Sequence, residues 1–94
     1  MKYFLVTYDL NTSGQNYQDL LKKIKDSEVW ARLSESSYAV GTLKTPQQLF
    51  DDLKTCLDSN DQLYIVNITK PYTGVGPEEV NKWLESKLPN TSIW

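Results

Sequence analysis

The sequence predicts one α+β domain, ordered strand–helix–strand–strand–helix–strand, with one more helix after it. Three observations predict it. Apolar stretches with strand character stand at both ends of the predicted core, two stripes at helical spacing lie between them, and a two-residue connection joins the middle strands. A chain of 94 residues has room for one core, so 1–94 reads as one domain. Its core spans about 2–70, and its additional helix about 77–88.

The elements follow in order. The first strand is expected from Lys2 to Leu10. Phe4, Val6, Tyr8 and Leu10 alternate with Tyr3, Leu5, Thr7 and Asp9, so both faces are largely apolar. Asn11-Thr12-Ser13-Gly14 is rich in turn formers. Helix one is expected near Asn16 to Asp26, where Tyr17, Leu20, Leu21 and Ile24 form one stripe. Val29 to Ser34 and Ser37 to Leu43 read as a hairpin closed by Glu35-Ser36. Thr45-Pro46-Gln47-Gln48 is a helix start: Thr45 caps, Pro46 takes the first helical position and Gln48 closes a capping box. That helix runs to about Leu57. A turn at Asp58 to Asp61 leads to strand four, Gln62 to Lys70, again apolar on both faces. After Pro71 to Gly76, Pro77, Glu78 and Glu79 open a third helix that Pro89 ends.

This order is the ferredoxin-like split βαβ arrangement, one sheet with two helices on one face. Two helices cover one face only, whereas strands one and four are apolar on both. The third helix or a second copy of the chain must cover the rest.

Composition narrows the chemistry. The chain is 39% apolar and 23% charged, as soluble domains are. It has no apolar run of membrane-spanning length, and Thr7-Tyr8-Asp9 interrupts the first apolar stretch too early for a secretion signal. A cytoplasmic location is expected, with no membrane partner. Cys56 is the single cysteine, so no intrachain disulfide forms. Histidine is absent, which removes Ser-His-Asp and Cys-His nucleophile systems and histidine-ligated zinc. A net charge of −2 argues against a strong non-specific grip on nucleic acid.

Asp9 is the candidate catalytic and metal-binding residue. It admits two readings. Its carboxylate caps the turn at Asn11 to Gly14, or it stands on the open sheet face near a symmetry axis, where two copies hold one hydrated Mg²⁺ or Mn²⁺. Arg32, the one arginine, stands near Trp30 and could stack on a base, pair with phosphate, or bridge to Glu28 or Glu35. The lysines Lys22, Lys23 and Lys25 fit the wet face of helix one.

The opening Tyr3-Phe4-Leu5-Val6-Thr7-Tyr8-Asp9-Leu10-Asn11 resembles that of the small CRISPR-associated adaptation proteins called Cas-two and the SinR-like proteins related to them. Gly14 and Tyr17-Gln18-Asp19-Leu20 resemble the SinR-like start of helix one. Trp30 to Val40 looks like the family hairpin, and Leu57 to Val66 like its turn into strand four. The resemblance covers most of residues 1–88. It implies a ferredoxin-like homodimer acting on RNA or DNA, either as a metal-dependent endonuclease or as a non-catalytic scaffold. It places the family acid at Asp9, and the family hairpin pattern in part at Arg32, Ser37 and Tyr38, the candidate nucleic-acid contacts. A non-catalytic dimeric module, in a CRISPR-adaptation, toxin–antitoxin or mobile-element setting, is the alternative. In it, an edge strand or the Ile93-Trp94 tail takes a partner by strand addition.

Overall fold

The computed structural model describes residues 1–11 and 15–91, and of Gln15 the backbone alone. The predicted turn residues Thr12, Ser13 and Gly14 and the tail Ser92-Ile93-Trp94 lie outside the described residues. The elements are β1 (Lys2–Asp9), α1 (Gln15–Lys25), β2 (Val29–Ser34), β3 (Ser37–Thr42), α2 (Pro46–Leu53), β4 (Gln62–Asn67) and α3 (Glu78–Lys87). The four strands make one sheet in the order β2-β3-β1-β4, with every neighbouring pair antiparallel. This is an α+β architecture compatible with a ferredoxin-like fold.

The first face of the sheet carries the core. Phe4, Val6 and Tyr8 of β1 join Tyr38 and Val40 of β3. Leu20 and Ile24 of α1, Leu49 and Leu53 of α2 and Cys56 close over them. Each such aliphatic side chain contributes about 1.5–3 kcal/mol on burial, which is why the helices dock by their apolar stripes. Thr45 and Gln48 cap α2 reciprocally: the Gln48 N–H donates to Thr45 Oγ1 at 3.1 Å, and the Thr45 N–H donates to Gln48 Oε1 at 3.0 Å. The expected helix to Leu57 is divided. The α-helix stops at Leu53 and a 3-10 turn, Lys54–Cys56, tightens its end.

The second face is covered unequally. Register places Val29, Gly41 and Tyr3 in one row across it, then Ala31, Ala39, Leu5 and Val66, then Ser37, Thr7 and Tyr64. α3 packs over the β2 side. The Trp83 ring meets Tyr3 edge-on, centroids 6.2 Å apart. Gly41 makes that seat possible. A Cβ there would stand 2.6 Å from the Tyr3 ring and 2.7 Å from Val29 Cγ2. At the far side, Tyr64 is 66% exposed and Val66 49%. The helix therefore covers half of what the sequence left uncovered, and the β4 half stays open.

β4 ends at Asn67 rather than at Lys70, yet the chain beyond it is still pinned. The Ile68 N–H donates to the Tyr3 carbonyl at 3.0 Å. Lys70 then pairs in parallel with Asn90, its N–H donating to the Pro89 carbonyl at 2.7 Å. Side chains reinforce this clasp. Lys70 Nζ reaches Glu85 Oε2 at 3.0 Å, and the Tyr72 hydroxyl donates to Glu85 Oε1 at 2.9 Å. These bonds hold the Glu85 carboxyl below the usual carboxylate range, Lys70 contributing most.

Gly41→Ala is expected to destabilise the fold by about 1–3 kcal/mol, because a methyl must push Tyr3 and Val29 off their seat. Urea unfolding checks it, and a retained midpoint would contradict the packing. The Glu85 clasp predicts a direction with pH. Its contribution is complete above the ordinary glutamate pKa and fades as pH falls through the lowered value in the folded chain. Protection factors at the Lys70 and Thr91 amides, taken relative to the intrinsic exchange rate at each pH, should fall on acidification, and Glu85→Gln should remove that fall.

Candidate functional site

β1 ends at the mouth of a cavity of about 390 Å³, lined by Tyr8, Asp9, Leu10, Asn11, Tyr17, Glu35 and Ser36. Three loops converge there. The hairpin turn is tied to β1 by the Tyr8 N–H donating to the Ser36 carbonyl at 3.0 Å. The turn before β4 is tied by the Asn11 N–H donating to Asp61 Oδ1 at 2.8 Å. Asp61 also accepts from the Asp58 N–H at 2.8 Å. Asp61 thus takes the Asn11 N–H, the described part of the turn at Asn11 to Gly14 that one reading of the sequence assigned to the Asp9 carboxylate.

Asp9 itself is exposed, sits opposite Gln62, and points to the second face of the sheet. Among the described residues its carboxylate has no hydrogen-bond or ion-pair partner. The Mg²⁺ or Mn²⁺ that the family resemblance implies needs about six oxygen ligands. No group of three or more His, Cys, Asp or Glu side chains among the described residues could hold an ion. The described residues of one chain thus do not fit the metal, and among them a ligand set at Asp9 requires a second copy or a substrate phosphate.

The other candidate residues lie elsewhere. Arg32 is exposed on the helix-covered face of β2. Its Nε donates to the Ser34 carbonyl at 3.1 Å, and its Nη2 donates to the Glu35 carbonyl at 3.2 Å and the Tyr17 hydroxyl at 3.4 Å. It takes the backbone of Glu35, not its carboxylate, and lies over the Tyr38 ring at 5.5 Å. Trp30 takes its cation from helix α1, with Lys25 Nζ 5.3 Å from the ring. Ser37 is half-buried on the second face, its Oγ 2.6 Å from Ser34 Oγ. Tyr38 is fully buried, so its ring fills the core and presents no stacking surface. Asp9 and Ser37 are on one face, Arg32 and Tyr38 on the other; strand parity keeps them from forming one site.

What the structure brings together instead is a tyrosine cluster beside the cavity. Tyr8 and Tyr17 meet edge-on at 6.4 Å, and the Tyr8 hydroxyl donates to the Glu35 carbonyl at 2.9 Å. Burial, and then the neighbouring Tyr17, push the Tyr8 hydroxyl well above its ordinary pKa. Burial raises Tyr38 likewise. Tyr8 and Tyr38 stay neutral, and Tyr8 as a donor organises the hairpin turn rather than acts as a base. The sequence held the signal: Tyr8 shares parity with Phe4 and Val6, and Tyr17 lies in the α1 stripe.

Comparison of the chain with family models, curated proteins and solved structures returned no match.

Among the described residues, the Tyr38 hydroxyl is the one buried side-chain polar atom without a partner. A group in that position costs about 1–3 kcal/mol. Tyr38→Phe should therefore leave stability unchanged or raise it. Tyr8→Phe, which removes one of the two donors to the Glu35 carbonyl, should lower stability by about 1 kcal/mol. Thermal unfolding of the two variants side by side checks the contrast.

Proposed function

We propose that this chain is a ferredoxin-like, Cas-two-like protein that works as a homodimer, and that its primary role is as a non-catalytic scaffold for nucleic acid or a protein partner. The observation that carries the reading is the open half of the second sheet face. Tyr64 and Val66 project beside Leu5 and Thr7 from neighbouring strands, whereas the other half is covered by α3. Exposed tyrosine is a residue type enriched at interface centres. A two-fold copy applied there would bury the apolar strip that β1 and β4 leave open. A lone carboxylate without a ligand set supports the scaffold over the enzyme.

Catalysis by metal-dependent phosphodiester cleavage is the second reading, and one placement favours it. Asp9 closes the same open strip, in line with Leu5 and Thr7 on β1. Pairing two strips face to face would bring two Asp9 carboxylates toward one axis. The pair, with a phosphate oxygen, could hold Mg²⁺ or Mn²⁺.

Sedimentation at low micromolar concentration tests the dimer. The wild-type chain should sediment as a dimer. Tyr64→Lys with Val66→Lys should weaken association by about 100-fold or more, since each change removes an apolar contact and confronts a lysine with its copy. A monomeric wild-type chain would overturn the proposal. Incubation with RNA and with DNA in Mg²⁺ or Mn²⁺ separates the readings. The scaffold reading expects no cleavage; cleavage that vanishes in Asp9→Asn would establish the enzyme.

A further inference from the structure

The free edge of the sheet at β2 borders a groove. It encloses about 350 Å³ and is lined by Trp30, Ala31 and Arg32 of β2 with Glu79, Val80 and Trp83 of α3. Consecutive strand residues point to opposite faces. A cavity touching all three of Trp30, Ala31 and Arg32 therefore runs along the edge itself, with α3 as its far wall.

The backbone at that edge is turned outward. The Tyr8 N–H bonds to the Ser36 carbonyl, so the even-numbered residues of β1 and β3 bond to each other. β3 then directs Ala39 and Gly41 toward β2, where Ala31 and Val29 receive them. Trp30 and Arg32 are left with their N–H and C=O groups pointing out of the sheet. No loop, turn or side-chain hydrogen bond among the described residues reaches those groups. The irregularity between Arg32 and Ser34 closes the edge at one end, and the stretch through Trp30 and Arg32 remains straight.

Side chains at the edge define what the occupant carries. Arg32 is exposed and, among the described residues, has no carboxylate partner; its hydrogen bonds go to two carbonyls and a phenol. Trp30 is 39% exposed and stands one pair along on the same face. Across the edge, Ala31, Val80 and Trp83 form an apolar slot, with Glu79 at its rim.

We propose that β2 accepts an extended peptide as a fifth, antiparallel strand, with an acidic residue opposite Arg32, an aromatic residue opposite Trp30, and an aliphatic residue between them in the slot against α3. Antiparallel direction fixes the order as acidic–aliphatic–aromatic, because the residue facing Arg32 precedes the one facing Trp30. Both pairs are cross-strand neighbours of complementary type. Glu79 at the rim favours a flanking lysine. This edge lies on the opposite side of the sheet from β4, so the binding is independent of the proposed dimer.

The probe is the synthetic peptide acetyl-Lys-Asp-Val-Phe-Val-Lys-amide, titrated into the full chain and followed by amide NMR and hydrogen exchange. The expected result is saturable binding with new protection at Trp30 and Arg32, and little change at Val29 and Ala31, whose amides already bond inward. N-methylation of the peptide at Asp or at Phe should abolish binding, whereas N-methylation at the valine between them should be tolerated. The order-reversed peptide should bind more weakly. Arg32→Glu should cost roughly fivefold in affinity, and exchanging the peptide Asp for Lys should restore it. The Tyr64→Lys, Val66→Lys variant should bind the peptide as the wild type does. No protection of Trp30 and Arg32 at millimolar peptide would overturn the proposal, as would equal loss from N-methylation at every position. Salt-sensitive protection of the same amides by oligothymidylate, without effect of the peptide, would assign the groove to nucleic acid and overturn it too.

Discussion

Everything in the fold is arranged about β1, a strand that is largely apolar on both faces. β3 and β4 flank it, so its backbone is hydrogen-bonded along both edges. Its even side chains, Phe4, Val6 and Tyr8, are buried under α1 and α2. Its odd side chains, Tyr3, Leu5 and Thr7, are half-buried on the other face. A strand apolar on both faces demands two covering layers. The chain supplies one and a half. The two-helix layer is complete, and α3 reaches the second face only as far as Tyr3. The position of that limit follows from a single missing side chain at Gly41, which lets Tyr3 and Val29 close up into a surface Trp83 can sit on.

The same strand divides the polar chemistry. Parity sends Asp9 to one face, and through β3 it sends Arg32 and Tyr38 to the other. Asp9 and Arg32, which the family resemblance assigns to one function, are thus separated by the thickness of a sheet. The cavity at the end of β1 is consequently not an acid–base pair but a knot of hydrogen bonds. Tyr8 and Arg32 both spend their donors on the carbonyls of the hairpin turn. Exposed ion pairs such as Lys44–Asp52 and Lys82–Glu78 add little to stability.

Much of this was legible in the sequence, and the reasons are local. The strand and helix order follows from two periodicities and from unambiguous punctuation: Thr45, Pro46 and Gln48 specify a capping box, and that box is present. Two-sided burial of β1 could be read from its alternation. The split covering of the second face could not, because it depends on how far α3 reaches, and that depends on a contact between Tyr3 and Trp83, 80 residues apart in sequence. The end of β4 was misplaced for a similar reason. Thr69 and Lys70 have strand-like neighbours, but their partner is the chain at 90–91, not β1. At the candidate site, the exposure of Asp9 followed from its place at a strand end. The burial of Tyr38 was predictable from parity, since it pairs with Val6; weighing it as part of a hairpin motif obscured that. The capping role of Asp61 lay hidden because its partner, Asn11, is 50 positions away.

Cys56 is a built-in reporter on one layer of the fold. The one thiol of the chain is buried at the end of α2, within the helix layer on the first face. A thiol reagent can reach it only when that layer lifts from the sheet. Detachment of α3 exposes the opposite face and leaves the thiol covered. Alkylation rates therefore clock one side of the sheet independently of the other, with no label added. If the two layers open separately, the native chain is not a single cooperative unit but a stable helix-and-sheet half carrying a looser strap. Its kinetics would report which half gives way first.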